Sequence, residues 1–153
     1  MKSSVNRVAY CIFSDDIRQE IGNKTSLIGI YANDIVLSGE LPLTVPRLCM
    51  SLTVRTAKDC PMENLSVRAT FAGENLVQFE IPKDELVEGQ KLALESSDDE
   101  GWWLTVNMAL IASPLNISSE GIVEVVAIAD GDELLAGRLR VQVRPPEAAK
   151  LPS

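Results

Sequence analysis

The aspartates and glutamates of this sequence are its best candidates for metal binding or catalysis, because they are numerous and clustered. The chain has 22 aspartates and glutamates, and several fall in short polar segments between apolar runs. Ca²⁺ takes about six to eight oxygen ligands, which acidic loops supply when the fold brings them together. The candidate ligands of such a metal site are Asp98, Asp99, Asp130 and Asp132. No EF-hand spacing surrounds them.

The same acidic residues suit a second chemistry, because glycoside hydrolysis needs two carboxyl groups on either side of one bond. Nothing in the sequence fixes that separation. Histidine is absent, which excludes Ser-His-Asp and Cys-His catalysis and every metal site that requires imidazole. We therefore expect a non-enzymatic protein without a cofactor. A Ca²⁺-binding or small-ligand-binding protein and a small carboxylate hydrolase are the alternatives.

Charge and cysteine usage bound the partners and the compartment. The formal net charge is -8, and an acidic protein repels both phosphate backbones and anionic membrane surfaces. The three cysteines, Cys11, Cys49 and Cys60, are odd in number and irregular in spacing, unlike a disulfide framework. The start of the chain lacks a signal-peptide pattern, and no apolar stretch approaches a membrane span. We expect a cytoplasmic protein with free thiols that binds neither nucleic acid nor membranes.

The elements that must position these residues are strands, because apolar and polar side chains alternate with a period of two. The clearest alternating segments are 48–55, 65–71, 77–81, 104–110 and 139–143, and 122–129 is almost continuously apolar. About nine strands and one or two short helical turns predict an all-β antiparallel sandwich. An Asp130-Gly131 hairpin between the last two strands favours an immunoglobulin-like topology. The sequence predicts one domain over 1–144 and a flexible tail over 145–153.

Four more local predictions concern individual segments and the ends at which connectors lie. The segment 5–13 is apolar at both alternate sets of positions, so we expect a strand covered on both sides. The connector 14–24 predicts a loop with one helical turn capped by Asp16. A further strand is predicted at 91–95. If successive strands alternate in direction, connectors 32–46, 72–75, 96–101 and 130–133 share one end, and connectors 14–24, 58–63, 82–89 and 113–120 share the other.

Six residues are candidates for contact with a protein partner. Trp103 is expected on the polar side of its strand, where it would anchor an interface or simply cover a sheet edge. Asp15, Arg18 and Glu20 would form a recognition loop, or serve as caps and ion pairs within it. Arg138 and Arg140 form a basic stripe that suits an acidic partner or a second copy. The alternative for the stripe is protection of a sheet edge.

The opening of the chain resembles a bacterial domain family of unknown function. The residues that carry the resemblance are Asp15-Asp16-Ile17-Arg18, Gly22-Asn23-Lys24, Ser26-Leu27-Ile28-Gly29-Ile30-Tyr31 and the later Pro46-Arg47-Leu48. The resemblance implies a bacterial, cytoplasmic protein and implies no activity. The leading hypothesis for function is a protein-interaction module that uses a sheet face or the loop end. The partner would be another protein or a second copy of the chain.

Overall fold

The alternating segments form the strands of two facing sheets in a computed structural model that describes residues 6–96 and 103–146. In chain order the elements are β1 (Arg7–Glu20), β2 (Lys24–Tyr31), β3 (Asp34–Ser38), β4 (Leu43–Val45), β5 (Leu48–Ala57), β6 (Leu65–Phe71), β7 (Glu74–Glu80), α1 (Lys83–Ser96), β8 (Trp103–Ala112), β9 (Leu115–Ile117), β10 (Gly121–Ala129) and β11 (Asp132–Arg144). The prediction of an all-β sandwich is confirmed. The described residues contain eleven strands, where the sequence predicted about nine.

One sheet has four strands in the order β2-β1-β5-β8, and all its neighbours are antiparallel. The other has five strands in the order β3-β11-β10-β6-β7. Its strands are antiparallel except for β3, which runs parallel to β11. The short strands β4 and β9 pair with each other. The predicted tail is described only at Pro145 and Pro146, beyond the end of β11.

The core lies between the two sheets and is built from the inward half of each alternating strand. Leu52 and Val54 of one sheet and Val67, Val125 and Leu139 of the other are almost completely buried. Burying a side chain of this kind stabilises the fold by roughly 1.5–3 kcal/mol. This layer leaves the outer face of each sheet available to solvent or to a partner.

Helix α1 replaces the connector and the strand that the sequence predicts for residues 82–95. Its buried side is narrow, consisting of Leu86 and, one turn later, Gln90. The amide of Gln90 donates to the Met62 carbonyl oxygen at 2.7 Å and accepts from the Met62 N–H at 2.8 Å. Apolar Leu92 and Leu94 are exposed instead. Leu94 continues the four-residue spacing of Leu86 and Gln90 but is exposed, and Leu92 lies on a different side of the helix, so together they obscure the helical period.

The connector 14–24 contains no helical turn, because β1 continues to Glu20 and pairs with β2 across a tight turn. Gly22 and Asn23 close the turn with φ of +83° and +58°, a left-handed conformation that these two residue types accept most readily. The register of β1 with β5 ends at Ser14, opposite Cys49. Residues 15–29 therefore extend past the rest of the sheet, and we call them the hairpin arm.

The prediction that connectors 72–75 and 130–133 share one end is wrong. Strands β6 and β10 are antiparallel, with Leu65 opposite Ala129 and Phe71 opposite Val123. The hairpin at 130–131 consequently lies at the end where β6 begins, beside residues 63–64. The physical reason is α1, since a helix in place of a strand reverses the direction assigned to every later strand.

Candidate interaction surface

The outer face of the four-stranded sheet exposes a group of apolar side chains. Strand register fixes their direction: Ala9 and Cys11 lie opposite Val54 and Leu52 of the core, so the alternate residues of β1 point outward. The outward apolar residues of this sheet, which we call the open face, are Val8, Tyr10, Ile12, Ile28, Ile30 and Ile111.

The open face is accessible over most of its extent. Val8 is 44% exposed, Tyr10 38% and Ile30 59%. The expectation that β1 is covered on both sides is therefore wrong. A contiguous exposed apolar surface on a soluble protein marks an interaction site more often than scattered single residues do.

The centre of the open face carries few charges. Tyr10 lies opposite Thr53 and Ile12 lies opposite Ser51. The hydroxyl of Thr53 in turn donates a hydrogen bond of 2.8 Å to the amide oxygen of Asn107 on β8. Small uncharged polar side chains thus separate the apolar ones, and desolvating such a surface costs less than desolvating ions.

Arg55 is the cation closest to this centre. Its guanidinium carbon lies 5.7 Å from the centroid of the Tyr10 ring, within the range of a cation–π contact. Its Nε is buried and has no hydrogen-bond partner among the described residues. The side chain is therefore held by an aromatic ring while its charge is left without a carboxylate from the described part of the chain.

The hairpin arm divides the predicted recognition loop between two faces. Arg18 lies on the same side as the open face, and the carboxylate of Asp16 contacts Arg18 at 3.5 Å and Arg47 at 3.0 Å. Glu20 lies opposite Lys24 near the tip of the arm. The structure thus places Arg18 and Glu20 along one exposed side of a strand rather than in a loop.

Asp15 is turned to the other side of the arm, where the Tyr31 hydroxyl donates a hydrogen bond to its carboxylate. Burial of the hydroxyl, followed by this bond and the Asp15 charge, raises the pKa of Tyr31 to about 12. Gly29 has a φ of +69°, and a Cβ there would lie 2.9 Å from Cγ of Asp15. The close approach and the backbone conformation both require glycine.

Trp103 and the basic stripe lie on opposite sides of the molecule. Trp103 is 40% exposed at the start of β8, with its side chain directed outward like that of Asn107, beyond the open face. Arg138 pairs with Glu124 at 3.0 Å and Arg140 with Asp34 at 2.8 Å on the five-stranded sheet. Arg140 does not protect an edge, because β3 and β10 flank its strand there. Its guanidinium lowers the pKa of Asp34.

The structure describes two of the four predicted metal ligands, Asp130 and Asp132. Asp98 and Asp99 lie outside the described residues. Asp130 accepts hydrogen bonds from the backbone N–H groups of Glu63 and Asn64 at 2.9 and 2.8 Å, and pairs with Arg7 at 2.7 Å. Burial raises the pKa of Asp130, but these three contacts outweigh it and the net change is downward. Asp132 is exposed on the same hairpin.

Within residues 6–96 and 103–146, no group of three or more His, Cys, Asp or Glu residues could hold a metal ion. The grooves in this part of the chain include two that α1 or its N-terminal residues line. One, of about 360 Å³, lies between α1 and β8, and Glu85 is the ionisable residue of its described lining. The other, of about 450 Å³, is lined by Glu80 and Lys83 among uncharged neighbours. Neither groove places two carboxylates of the described residues across a cavity.

The thiols of Cys11 and Cys49 are poorly suited to nucleophilic chemistry. Burial raises the pKa of Cys11 to about 12 and is also the main cause of the raised pKa of Cys49. A thiol that stays protonated at neutral pH is a weak nucleophile. Cys60 is partly exposed, and its carbonyl oxygen accepts a hydrogen bond from the Thr56 hydroxyl at 2.6 Å.

The open face was missed from the sequence because β1 is apolar at both sets of alternate positions. A signal was nevertheless present on β5, whose outward residues Ser51, Thr53 and Arg55 are polar. Since β5 lies beside β1 in the sheet, its polar outward side shows that this side of the sheet faces solvent. Reading that signal requires knowing which strands are neighbours.

The described residues include no helix that is both long and apolar enough to cross a bilayer. The resemblance of residues 14–31 to a bacterial domain family stays a prediction. No protein-family model matches this sequence, and no curated protein matches it either.

Proposed function

We propose that this protein is a non-enzymatic interaction module that binds another protein through the open face. The observation that carries the proposal is the exposure of Val8, Tyr10 and Ile30 on one side of a rigid sheet. Aromatic and aliphatic side chains at the centre of a protein interface supply most of its binding free energy. The side chains on this sheet are positioned by the backbone register, so binding them costs little ordering of the protein.

The two alternative functions have less support. A carboxylate hydrolase needs two carboxyl groups facing one bond, and neither groove between the described residues offers that pair. A Ca²⁺ site using Asp130 would have to remove its carboxylate from Arg7 and from two backbone N–H groups. Each of those contacts is a charge-assisted hydrogen bond.

The proposal extends to setting and topology. Free thiols at Cys11, Cys49 and Cys60 are typical of a reducing compartment, which supports a cytoplasmic location. The resemblance of residues 14–31 supports a bacterial source. The β10–β11 hairpin, whose two strands lie inside the five-stranded sheet, supports an immunoglobulin-like topology.

The test is site-specific photocrosslinking in cells of the source organism. A benzoylphenylalanine residue replaces Ile12 on the open face or, as the matched control, Thr70 at an outward position of β6 on the other sheet. We expect a saturable crosslink to one protein from Ile12, its loss when Tyr10→Ser is added, and no crosslink from Thr70. Equal crosslinking at both positions, crosslinking at Thr70 alone, or none at either would overturn the proposal.

A further inference from the structure

We infer that the partner meets the open face with a surface that is both apolar and acidic, and that one of its carboxylates pairs with Arg55. This inference rests on the proposed function and specifies the chemistry of the partner. Its basis is the charge of the open face and of the arm residues beside it, taken over the described residues.

The charge on this side of the protein opposes that of the whole chain. The outward side of the four-stranded sheet and its arm carries two carboxylates, Asp16 and Glu20. It carries four cations, Arg18, Lys24, Arg47 and Arg55, an excess of two positive charges. The whole chain has a formal net charge of -8. A locally cationic surface on an acidic protein attracts an acidic partner while the rest of the molecule repels it, which favours one orientation of binding.

Arg55 and Arg144 are the two described arginines without an ion pair, and of the two only Arg55 lies on the outward side of the four-stranded sheet. Six arginines lie within 3.6 Å of a carboxylate oxygen: Arg7, Arg18, Arg47, Arg68, Arg138 and Arg140. Arg55 has no such partner among the described residues, and its Nε lacks an acceptor. A partner that covered the open face with hydrocarbon alone would bury this cation unpaired, which is costly. A carboxylate placed on the exposed part of the guanidinium removes that cost.

The charge distribution of the protein disfavours two other occupants of the open face, a second copy of the chain and an anionic membrane. A second copy packed face to face would bring together two surfaces that each carry an excess of positive charge, and a twofold axis near Arg55 would also place the two Arg55 side chains side by side. An anionic membrane is a continuous negative surface that also faces the rest of a protein whose net charge is -8, whereas an acidic patch on a partner protein can cover the open face alone. A separate acidic protein surface satisfies both the apolar side chains and Arg55.

The test selects ligands for the full-length protein from a phage-displayed library of random 12-residue peptides, and measures the selected peptides by fluorescence anisotropy. We expect enriched sequences that combine Asp or Glu with aromatic or aliphatic residues. Their affinity should fall about tenfold in Arg55→Gln, because a charge-assisted contact is lost. Tyr10→Ser should weaken binding by a similar factor. The matched control Arg138→Gln, 61% exposed on the opposite sheet, should change affinity less than twofold.

The outcomes separate this inference from the proposed function. Peptides without carboxylates that bind in a Tyr10-dependent manner and ignore Arg55→Gln would overturn the inference and leave the open face as a binding site. A dimer in sedimentation velocity that Tyr10→Ser dissociates and Arg55→Gln does not would overturn the inference in the same way. Failure to select any peptide sensitive to Tyr10→Ser would overturn both. Circular dichroism melts of each variant identify any loss of binding that comes from unfolding.

Discussion

The outer face of the five-stranded sheet carries ion pairs between neighbouring strands, whereas the open face of the four-stranded sheet has none between described residues at its centre. On the first, Arg138 pairs with Glu124, and Arg140 with Asp34. On the second, Arg55 contacts the ring of Tyr10 instead of a carboxylate. On both sheets the outward residues alternate with inward residues that are buried in the core, so strand geometry does not explain the difference.

The ion-paired outer face of the five-stranded sheet is the better suited of the two to contact with solvent. Charged pairs on the five-stranded sheet contribute little stability but favour hydration and oppose sheet stacking. The open face lacks that protection across Val8, Tyr10 and Ile12, all within the described part of the chain. Exposed apolar groups next to such a cation support the proposal that a protein partner covers this face.

The largest expected effect tests whether the two faces belong to one rigid body. Arg7 extends from the four-stranded sheet to Asp130 on the five-stranded sheet, and its side chain is mostly buried. Asp130→Ala removes the carboxylate from that cation and the acceptor from two backbone N–H groups, so we expect the free energy of unfolding to fall by about 2–4 kcal/mol. Urea denaturation measures this loss. Asp132→Ala, on the same hairpin, should stay within about 0.5 kcal/mol, and equal losses would contradict the assigned role.

The ion pair between Arg7 and Asp130, which we call the clamp, predicts that the stability of the protein depends on pH. The folded-state pKa of Asp130 is lowered, below an unfolded value of about 3.9. Its contribution to stability is therefore fully present well above pH 4 and is lost as the pH falls through the folded pKa. Urea midpoints measured from pH 7 down to pH 3 should decline less steeply for Asp130→Asn than for the wild type. Parallel curves would assign the acid sensitivity to other carboxylates.

A smaller effect tests the arm that adjoins the open face. Gly29 and Gly22 both have positive φ, but only at Gly29 would a Cβ meet another side chain closer than 3 Å, that of Asp15. Gly29→Ala should cost about 1–3 kcal/mol and disturb the Tyr31–Asp15 hydrogen bond. Gly22→Ala should cost less, because it carries only the backbone strain. Thermal melts of the two variants compare the costs directly, and a larger loss for Gly22→Ala would refute the close approach.

Solubility tests the contrast between the faces with little effect on folding. Threonine keeps the branched shape and strand preference of valine. The double variant Val8→Thr and Ile30→Thr should change stability by no more than about 1 kcal/mol and raise the ammonium sulfate concentration needed for precipitation. Val36→Thr, at an exposed outward position of β3, is the control and should shift precipitation less. A larger shift for the control would reverse the ranking of the two faces.

The smallest expected effect belongs to the charged face. A double-mutant cycle on Arg138 and Glu124, each changed to alanine, should give a coupling free energy of about 0.3–0.5 kcal/mol at low salt, decreasing in 0.5 M NaCl. The pair is exposed and therefore screened by water and ions. A coupling free energy above about 1.5 kcal/mol would mean that this ion pair contributes substantially to the stability of the sheet.

The strands and the sandwich were predictable because burial on one side imposes a period of two, as in β5 and β6. Helix α1 was not, since its buried side consists of little more than Leu86 and Gln90. The β1 half of the arm was predicted as a loop because both of its faces are largely polar and accessible, so no apolar alternation marks a strand there.

The candidate surface depends on register, which sequence alone does not give. Tyr10 and Arg55 are neighbours because Val8 lies opposite Arg55 and Tyr10 lies opposite Thr53, a pairing between segments far apart in the chain. The clamp between Arg7 and Asp130 likewise joins the first and last thirds of the sequence. Local patterns predicted the type of each element, and long-range pairing determined which side chains meet.

Strand β1 also determines how force would travel through this protein. It spans 14 residues, roughly 45 Å at the usual strand rise, from the Arg7 clamp to the tip of the arm. Phe13 and Ser14 pair with both β2 and β5, so bending the strand there would break hydrogen bonds on two sides. We therefore expect β1 to resist bending at Phe13 and Ser14. A force applied to the arm would then act on the sheet of the sandwich through a continuous strand, without a loop between them.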